Sequence, residues 1–373
     1  MKGAASVSEV LREWGRIGVI GFGGPPAHVA LLRELVVDRR RWMDAREFED
    51  ANAACGLLPG PASTQLAIYC AHRVAGLRGA VVGGLAFIVP GLLLILALAA
   101  GSLSDEPPRW LLALAAGAGA AVVPVVVHAG LTLLGRPAFD LRLVYVIAGA
   151  AAAVLIGPLV VLVLLACGLV ELLRRRGPAL AAHAWPLLLP LAAYGASELP
   201  ALAWTAFKVG ALSYGGGFVI IPLMQGDAVD AYGWMTQAEF LNAVAFGQLT
   251  PGPVTQTVAV VGYAAAGVGG FFLAAVIAFL PSFLVIALGG ERFERLRSSP
   301  RAPAFLDGAG PAAIGAIIGA AVPLAAGLEE LWMLALAVVF AGALALGSAP
   351  IVVLLAGVVA GLIGVLAFDL PLP

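Results

Sequence analysis

Residues 21–26 read GFGGPP and residues 213–218 read SYGGGF, and each stretch lies inside an apolar segment. Glycine weakens a helix and proline removes a backbone hydrogen bond, so both stretches predict a helix break. At membrane depth, a break is tolerated only where it is buried in protein or lines a polar cavity. We therefore expect the fold to be organised around these two stretches.

The composition is typical of a membrane protein. Of the 373 residues, 61% are hydrophobic and 12% are charged, and the mean hydropathy is +1.01. Apolar runs of about 18 or more residues recur along the chain, and such runs can cross a bilayer as helices. They do not alternate as barrel strands would. The sequence predicts an all-α polytopic membrane protein in contact with the lipid bilayer, and a net charge of −1 gives no indication of a nucleic-acid partner.

The first part of the chain matches the second at one constant offset. Phe22-Gly23-Gly24 falls on Tyr214-Gly215-Gly216, an offset of 192 residues, and Pro59-Gly60-Pro61 falls on Pro251-Gly252-Pro253. The same offset places Arg16 on Lys208. We interpret this as a tandem duplication, with a first repeat at 1–173, a linker with a short crossing segment at 174–199, and a second repeat at 200–373.

Hydropathy divides each repeat into corresponding apolar segments. In the first repeat these are 9–36, 48–72, 79–101, 110–134, 141–156 and 159–173. In the second repeat they are 199–225, 239–263, 267–289, 304–326, 331–346 and 351–368, and the linker contributes a short apolar stretch at 185–197.

The loop charges predict that the two repeats have opposite orientations. Arginines 39–41 follow the first segment of the first repeat, whereas Asp227 and Asp230 follow its counterpart in the second. Because Lys and Arg accumulate in cytoplasmic loops, the pattern predicts an inverted-topology repeat with a cytoplasmic N-terminus.

In four of the segments the two flanks have the same charge character. A helix that crosses the membrane is expected to have flanks that differ in charge. The segments 9–36 and 48–72 are flanked by basic residues on both sides, and their counterparts lack them. We therefore predict broken or re-entrant hairpins with tips at the aromatic-Gly-Gly and Pro-Gly-Pro stretches; the alternative is a continuous helix kinked at each break.

The breaks predict an anion site. A half-helix that begins at a break presents unpaired N–H groups and the positive end of its dipole, and hydroxyl and amide side chains follow the Pro-Gly-Pro stretches. The candidate substrate-binding residues are Arg16, Phe22, Gly23, Gly24, Pro59, Gly60, Pro61, Ser63, Thr64, Lys208, Tyr214, Gly215, Gly216, Pro251, Gly252, Pro253, Thr255 and Gln256.

Arg16 and Lys208 are included because an ionisable residue inside a membrane segment suggests function. Snorkelling or a structural ion pair is the alternative, for example between Arg16 and Glu13. The histidines, His28 among them, are interpreted as structural or interfacial. No catalytic constellation, metal-ligand cluster or cofactor motif is recognised, and Glu13, Glu34 and Asp50 remain open as coupling residues.

The sequence resembles the chromate ion transporter family in its long two-domain form. The resemblance rests on FGGPPAHVALL (22–32), RRRWMDAREFEDANAACGLLPGP (39–61), and their counterparts SYGGGFVIIPLM (213–224) and GWMTQAEFLNAVAFGQLTPGP (233–253). It implies a bacterial inner-membrane protein that extrudes chromate, coupled to proton or anion movement, with sulfate as a look-alike substrate.

Three functions stay open at this point. The first is a secondary transporter of a chromate-like or sulfate-like oxyanion that works by alternating access. The second is a passive anion channel on the same scaffold, and the third is a membrane sensor or scaffold that transports nothing. A homodimer is compatible with the sequence, although no motif requires one.

Overall fold

The computed structural model describes residues 5–58, 60–135, 140–176, 198–213, 217–287 and 301–372, and these residues form helices and no strand. The first repeat contains α1 (Val7–Ile20), α2 (Gly24–Arg33), α3 (Ala45–Leu57), α4 (Ala62–Ser102), α5 (Arg109–Leu134), α6 (Leu141–Leu155) and α7 (Val160–Arg176). The second contains α8 (Glu198–Leu212), α9 (Ile220–Gln225), α10 (Gln237–Leu249), α11 (Thr257–Ala287), α12 (Arg301–Ala326), α13 (Leu331–Ala345) and α14 (Pro350–Phe368).

Some predicted features lie outside the described residues. These are Pro59, Tyr214, Gly215, Gly216 and the proposed crossing segment at 185–197. Within the described part, six helices are long and apolar enough to cross a membrane, and α6 and α13 are shorter apolar helices. The predicted class, an all-α polytopic membrane protein, is confirmed.

The chain doubles back at both aromatic-glycine breaks. In the first, Glu13 of α1 forms an ion pair with Arg39, 26 residues later. A continuous helix would separate these residues by about 39 Å, so the kinked-helix alternative is wrong here. Gly23 and Gly24 make the turn at φ +97° and +72°, values that favour glycine. In the second, Lys208 pairs with Asp227, 19 residues later.

We call these two units the first hairpin (7–39) and the second hairpin (198–231). Each continues beyond its second α-helix, α2 or α9, into a short π-helical stretch, Glu34–Arg39 and Gly226–Ala231 respectively. Such stretches widen the helix locally and are frequent at functional sites.

The Pro-Gly-Pro breaks also reverse the chain. Arg73 Nε donates to Glu47 Oε1 at 2.5 Å across 26 residues, which closes the hairpin whose tip holds Gly60. In the second repeat, Gly247 and Thr257 lie in contact on either side of Gly252, so closely that a Cβ on Gly247 would collide with Thr257 Oγ1. We call these units the Pro-Gly-Pro hairpins, 45–74 and 237–265.

The sequence predicted separate segments at 48–72 and 79–101, but only two non-helical residues, Ala75 and Gly76, separate them inside α4. Gly76 has φ +64°, and Gly267 of α11 repeats this turn with φ +60°. The two arms of α4 then pack together, because Gly79 lies against the carbonyl of Ala71. Each Pro-Gly-Pro hairpin therefore continues, through one glycine turn, into a long membrane-crossing arm.

The two repeats interlock. Helix α5 packs against α13 and α14 of the other repeat, and α12 packs against α6 and α7. Small residues permit these close crossings: a side chain on Gly117 or Gly149 would collide with the backbone of Gly357 or Ala312, respectively.

Reciprocal contacts relate the two repeats. Gly91 of α4 lies against Pro251, and Ser282 of α11 lies against Gly60. Such an exchange, in which each copy contributes the same two surfaces, is what a two-fold axis produces. Whether that axis lies in the membrane plane, as an inverted repeat requires, stays a prediction from the loop charges.

Candidate functional site

The described residues of the four breaks meet at one place between the repeats. Gly252 N–H donates to the carbonyl oxygen of Gly21 at 3.0 Å, joining the first hairpin to the opposite Pro-Gly-Pro tip. A Cβ added to Gly24 or Gly217 would lie 3.9 Å or 3.4 Å from side-chain atoms of Val254. Breaks of both repeats thus converge in the fold.

The other Pro-Gly-Pro tip contacts the second hairpin in the same way. A Cβ added to Gly60 would lie 3.2 Å from the Gly210 carbonyl oxygen and 3.3 Å from Ser282 Oγ. Ser282 is completely buried, and its hydroxyl has no partner among the described residues. Backbone and hydroxyl groups from both repeats therefore surround this tip.

A cavity of about 420 Å³ opens beside the meeting point. It is bounded by the start of α2, the C-terminal half of α5, the chain just after the second aromatic-glycine break, and the start of α14. Its described lining is Gly23, Gly24, Pro25, Pro26, Val125, His128, Ala129, Thr132, Leu133, Phe218, Gln248, Val254, Pro350, Ile351 and Leu354.

Three side chains give the cavity its polar character. Gln248 Nε2 is buried and has no hydrogen-bond partner among the described residues. His128 and Thr132 line the cavity from α5, where the Thr132 hydroxyl donates to the His128 carbonyl at 2.7 Å. Most of the remaining lining is apolar, so few polar groups could hold a ligand there.

The start of α2 offers fewer donors than the sequence argument assumed. The helix begins at Gly24 and continues with Pro25 and Pro26, and proline has no N–H. Of the four residues whose N–H groups are normally free at a helix start, only Gly24 and Ala27 can donate. The start of α4 is richer, because Ala62, Ser63 and Thr64 all keep their N–H groups.

His28 links two of the breaks. Its Nε2 lies 2.9 Å from the Gly21 carbonyl oxygen, and its Nδ1 lies 3.2 Å from Ser63 Oγ. The ring is completely buried and packs edge-on against Phe87. The single side chain thus connects the turn after α1 to the first turn of α4.

The two predicted cations lie in different surroundings. Lys208 is 2% exposed and bonds Asp227 Oδ2 at 2.5 Å, as does the hydroxyl of Thr205. Arg16 is exposed, and no ion pair to it is found among the described residues. The structure therefore brings neither cation to the cavity lining. It gives Lys208 an internal counter-ion and leaves Arg16 on the surface.

The aromatic residues also differ from expectation. Phe22 is 45% exposed and lies on the surface, whereas Phe218, four residues after Tyr214, lines the cavity. The candidates that follow the Pro-Gly-Pro tips are buried as expected: Ser63, Thr64, Thr255 and Gln256. Gln256 is used locally, because its Nε2 donates to Thr250 Oγ1 and to the Pro251 carbonyl.

The sequence profile of the family described as "Chromate transporter" matches residues 8–172 and, separately, residues 200–362. The chain belongs to the chromate transporter family. Each match falls inside one of the two repeats, so this transporter carries two copies of the family's sequence unit. No solved structure gives a significant match.

The similarity to curated relatives extends over most of this member of the chromate transporter family. A chromate transport protein of Cupriavidus metallidurans is 32% identical over 83% of this chain and 80% of the relative. A probable chromate transport protein of Synechococcus elongatus is 29% identical over 86% and 85%, respectively. A chromate transport protein of Pseudomonas aeruginosa is 30% identical over 83% and 79%, respectively.

The sequence did not predict the contacts of three residues near the breaks. Asp227 was read as a loop charge, His28 as structural, and Gln248 was not singled out. A buried Lys208 needs a counter-ion, so the acids across its break could have been searched for one. Nothing in the local sequence indicates that Gln248 reaches a cavity.

The described residues contain no group of three or more His, Cys, Asp or Glu that could hold a metal ion. The remaining coupling candidates lie away from the cavity lining: Glu13 pairs with Arg39 and Arg40, and Glu34 is exposed. The donors near the breaks are hydroxyls, amides and backbone N–H groups, a set that suits an oxyanion.

Proposed function

We propose that this protein is a secondary transporter of the bacterial inner membrane that exports chromate or a related tetrahedral oxyanion by alternating access. The observation that carries the proposal is the cavity of about 420 Å³ beside the point where the breaks of both repeats meet. The family and the relatives named as chromate transport proteins supply the substrate class.

The chemistry of the breaks suits a tetrahedral dianion. In a dry site, neutral donors interact with an anion much more strongly than they do in water. The unpartnered amide of Gln248 and the N–H of Gly24 would donate from the cavity lining. The start of α4 adds further donors at the adjacent meeting point of the breaks. A neutral or cationic solute would leave such donors unsatisfied, at a cost of about 1–3 kcal/mol each.

Alternating access would follow from the reciprocal arrangement of the repeats. Each Pro-Gly-Pro tip rests on elements of the other repeat, as Gly252 does on Gly21. Rocking one repeat against the other would loosen one set of contacts and tighten the equivalent set, opening the central site to alternate sides. The N-terminus is assigned to the cytoplasm from the loop charges.

The membrane potential itself favours export of a dianion. Moving one charge across 100 mV is worth about 2.3 kcal/mol, so an inside-negative potential drives two negative charges outward with about 4.6 kcal/mol per 100 mV. The proposal includes coupling to a second ion, which adds to or subtracts from this force according to the direction in which that ion moves.

The test is chromate flux in proteoliposomes, with K⁺ and H⁺ gradients imposed in turn. We expect chromate flux in the wild type. Gln248→Leu should bind chromate about tenfold more weakly, because it removes a hydrogen-bond donor to a charged ligand. Gln237→Leu is the matched control, because Gln237 pairs with Gln225 and does not line the cavity.

The outcomes separate the alternatives. Accumulation of chromate against its electrochemical gradient, driven by the second ion, supports a secondary transporter. Flux that only follows the electrochemical gradient would identify a passive channel instead. Absence of both flux and chromate-dependent thermal stabilisation would overturn the proposal in favour of a sensor or scaffold.

A further inference from the structure

We propose that His28 is the proton-binding residue of the transport cycle and that it acts through the hydroxyl of Ser63. In this scheme a proton on His28 prepares the meeting point of the breaks for the oxyanion. The inference rests on the proposed function, since it assigns a coupling residue to that oxyanion site.

The hydrogen-bond geometry fixes the starting state. The Gly21 carbonyl oxygen can only accept, so His28 Nε2, at 2.9 Å, carries a proton and donates. In the neutral ring Nδ1 is then an acceptor. The Ser63 hydroxyl, 3.2 Å away, donates to it. While His28 is neutral, the hydroxyl proton of Ser63 is directed at the ring and is withheld from any ligand.

Protonation reverses the second bond. A proton taken up from water binds Nδ1, which becomes a donor, and Ser63 Oγ then accepts from it. The hydroxyl proton of Ser63 must rotate away from the ring. One proton therefore adds a positive charge at the breaks and frees one O–H donor, with no other bond made or broken.

Ser63 occupies the position where that donor has most effect. It is the second residue of α4, whose first-turn N–H groups have no partner within the helix, and it is buried. A hydroxyl released there adds to the donors that a helix start directs at an anion. The hydroxyl of the next residue, Thr64, is also buried and without a partner among the described residues.

The surroundings of His28 make an anion the natural counter-charge. The groups that face the ring are the Gly21 carbonyl, the Ser63 hydroxyl and the edge of Phe87, whose centroid is 5.0 Å away. No carboxylate or cation among the described residues acts on the ring. A dianion at the breaks would stabilise the imidazolium, and by reciprocity the imidazolium would strengthen the binding of the dianion.

The duplication limits the number of protons. The residue that matches His28 at the offset of 192 is Ile220, which is buried and cannot titrate. The second repeat thus lacks the imidazole, and the mechanism predicts at most one proton per chain and cycle.

The test is the pH dependence of chromate binding and flux. We expect the wild-type affinity to rise roughly tenfold between pH 8 and pH 6, within the usual range of coupling between two sites. His28→Gln keeps an N–H donor for Gly21 and an acceptor for Ser63, but it cannot take up a proton. When the affinities of both proteins are expressed for the chromate dianion, that of His28→Gln should stay near the wild-type value at pH 8 throughout this range.

His72→Gln is the matched control, because His72 lies on α4 away from the breaks and the cavity. Chromate itself takes up a proton in this range, but that change affects both variants equally and cancels in their ratio. Ser63→Ala should lose the part of the pH dependence that comes from the released hydroxyl and keep the part that comes from the charge on His28. Adding it to His28→Gln should remove no further pH dependence. If His28→Gln does not fold, the profile of Ser63→Ala decides.

A second measurement follows the proton directly. Binding of sulfate, which stays fully ionised at neutral pH, should draw up to one proton from a weakly buffered solution of wild-type protein and none with His28→Gln. An unchanged pH dependence in a folded His28→Gln that still carries chromate would overturn the inference and leave the proposed function intact. Loss of flux in the wild type would count against the proposed function instead.

Discussion

The first and second hairpins both reverse the chain and differ in how they hold charge. In the first, Glu13 pairs with Arg39 and Arg40, whose side chains are partly exposed. In the second, Lys208 and Asp227 pair with both side chains 2% exposed. Both copies reverse the chain, and each satisfies its buried charge separately.

The repeat positions explain how the difference arose. Arg16 and Lys208 are equivalent, but the position equivalent to Asp227 is Leu35, which cannot hold a cation. Glu13 in turn corresponds to Thr205, whose hydroxyl donates to Asp227 at 2.5 Å. The acid lies on the first arm in one hairpin and after the second arm in the other, so the two ion pairs have opposite polarity.

The largest effect should come from breaking the buried pair. Asp227→Asn leaves the Lys208 ammonium buried without a counter-ion, which should cost about 3–5 kcal/mol in the free energy of unfolding. The measurement is reversible unfolding in mixed micelles, with transport in proteoliposomes alongside. A loss smaller than that of Glu13→Gln would contradict the contrast between the hairpins.

The double variant Lys208→Met, Asp227→Leu sharpens this result. Replacing a buried ion pair by apolar residues of similar size is often neutral or stabilising, and leucine occupies the equivalent position, Leu35, in the first repeat. We expect stability close to the wild type. Loss of transport in this stable variant would assign the pair to function, whereas full transport would make it structural.

The next largest effect should be equal in the two repeats. Gly18 and Gly210 each lie against the backbone of the adjacent long helix, where a Cβ on Gly18 would come within 2.6 Å of the Ala86 carbonyl oxygen. Gly18→Ala and Gly210→Ala should each cost about 1–3 kcal/mol through overpacking. Gly15→Ala is the control, because its Cβ would meet open space; clearly unequal losses would show that the copies pack differently.

A smaller effect is expected at the first hairpin. Glu13→Gln removes the carboxylate that pairs with Arg39 and Arg40, whose side chains are partly exposed and can be hydrated instead. Because solvent screens such pairs, the free energy of unfolding should fall by about 1 kcal/mol. Raising the salt concentration should shrink the difference from the wild type. An effect that does not change with salt would mean that Glu13 is as enclosed as Asp227.

The smallest change in stability is expected for Arg16→Ala. Arg16 is exposed and has no ion pair among the described residues, so the free energy of unfolding should stay within about 0.5 kcal/mol of the wild type. Chromate flux is the decisive measurement for its predicted role in binding. A loss of flux without a loss of stability would return Arg16 to the site, and unchanged flux would remove it.

The sequence predicted the parts of the fold that depend on pattern. Hydropathy predicted the membrane class, the offset of 192 predicted the duplication, and the symmetric loop charges predicted the chain reversals. The ion pairs Glu13–Arg39 and Lys208–Asp227 confirm the chain reversals at the aromatic-glycine breaks. The glycine turns at Gly76 and Gly267 were missed, because they differ by 191 residues and so fall out of the register that matches the breaks.

The candidate site was less predictable because its contacts join distant residues. His28 reaches Ser63 across 35 residues, and Gln248 reaches a wall built partly from the first repeat. Neither contact leaves a periodic signal in the chain. The binding roles of Arg16, Lys208 and the glycines of the breaks remain predictions.

The exchange of helices between the repeats bears on how such a chain arose. Because α5 packs on α13 and α14 while α12 packs on α6 and α7, a single repeat would expose the surfaces that its partner covers. An ancestral single-repeat protein with this fold would have been an obligate homodimer whose subunits pack their helices against each other. In the fused chain, His28 and Asp227 each occur in one repeat only, because Ile220 and Leu35 occupy the equivalent positions. Two identical subunits could not have this asymmetry.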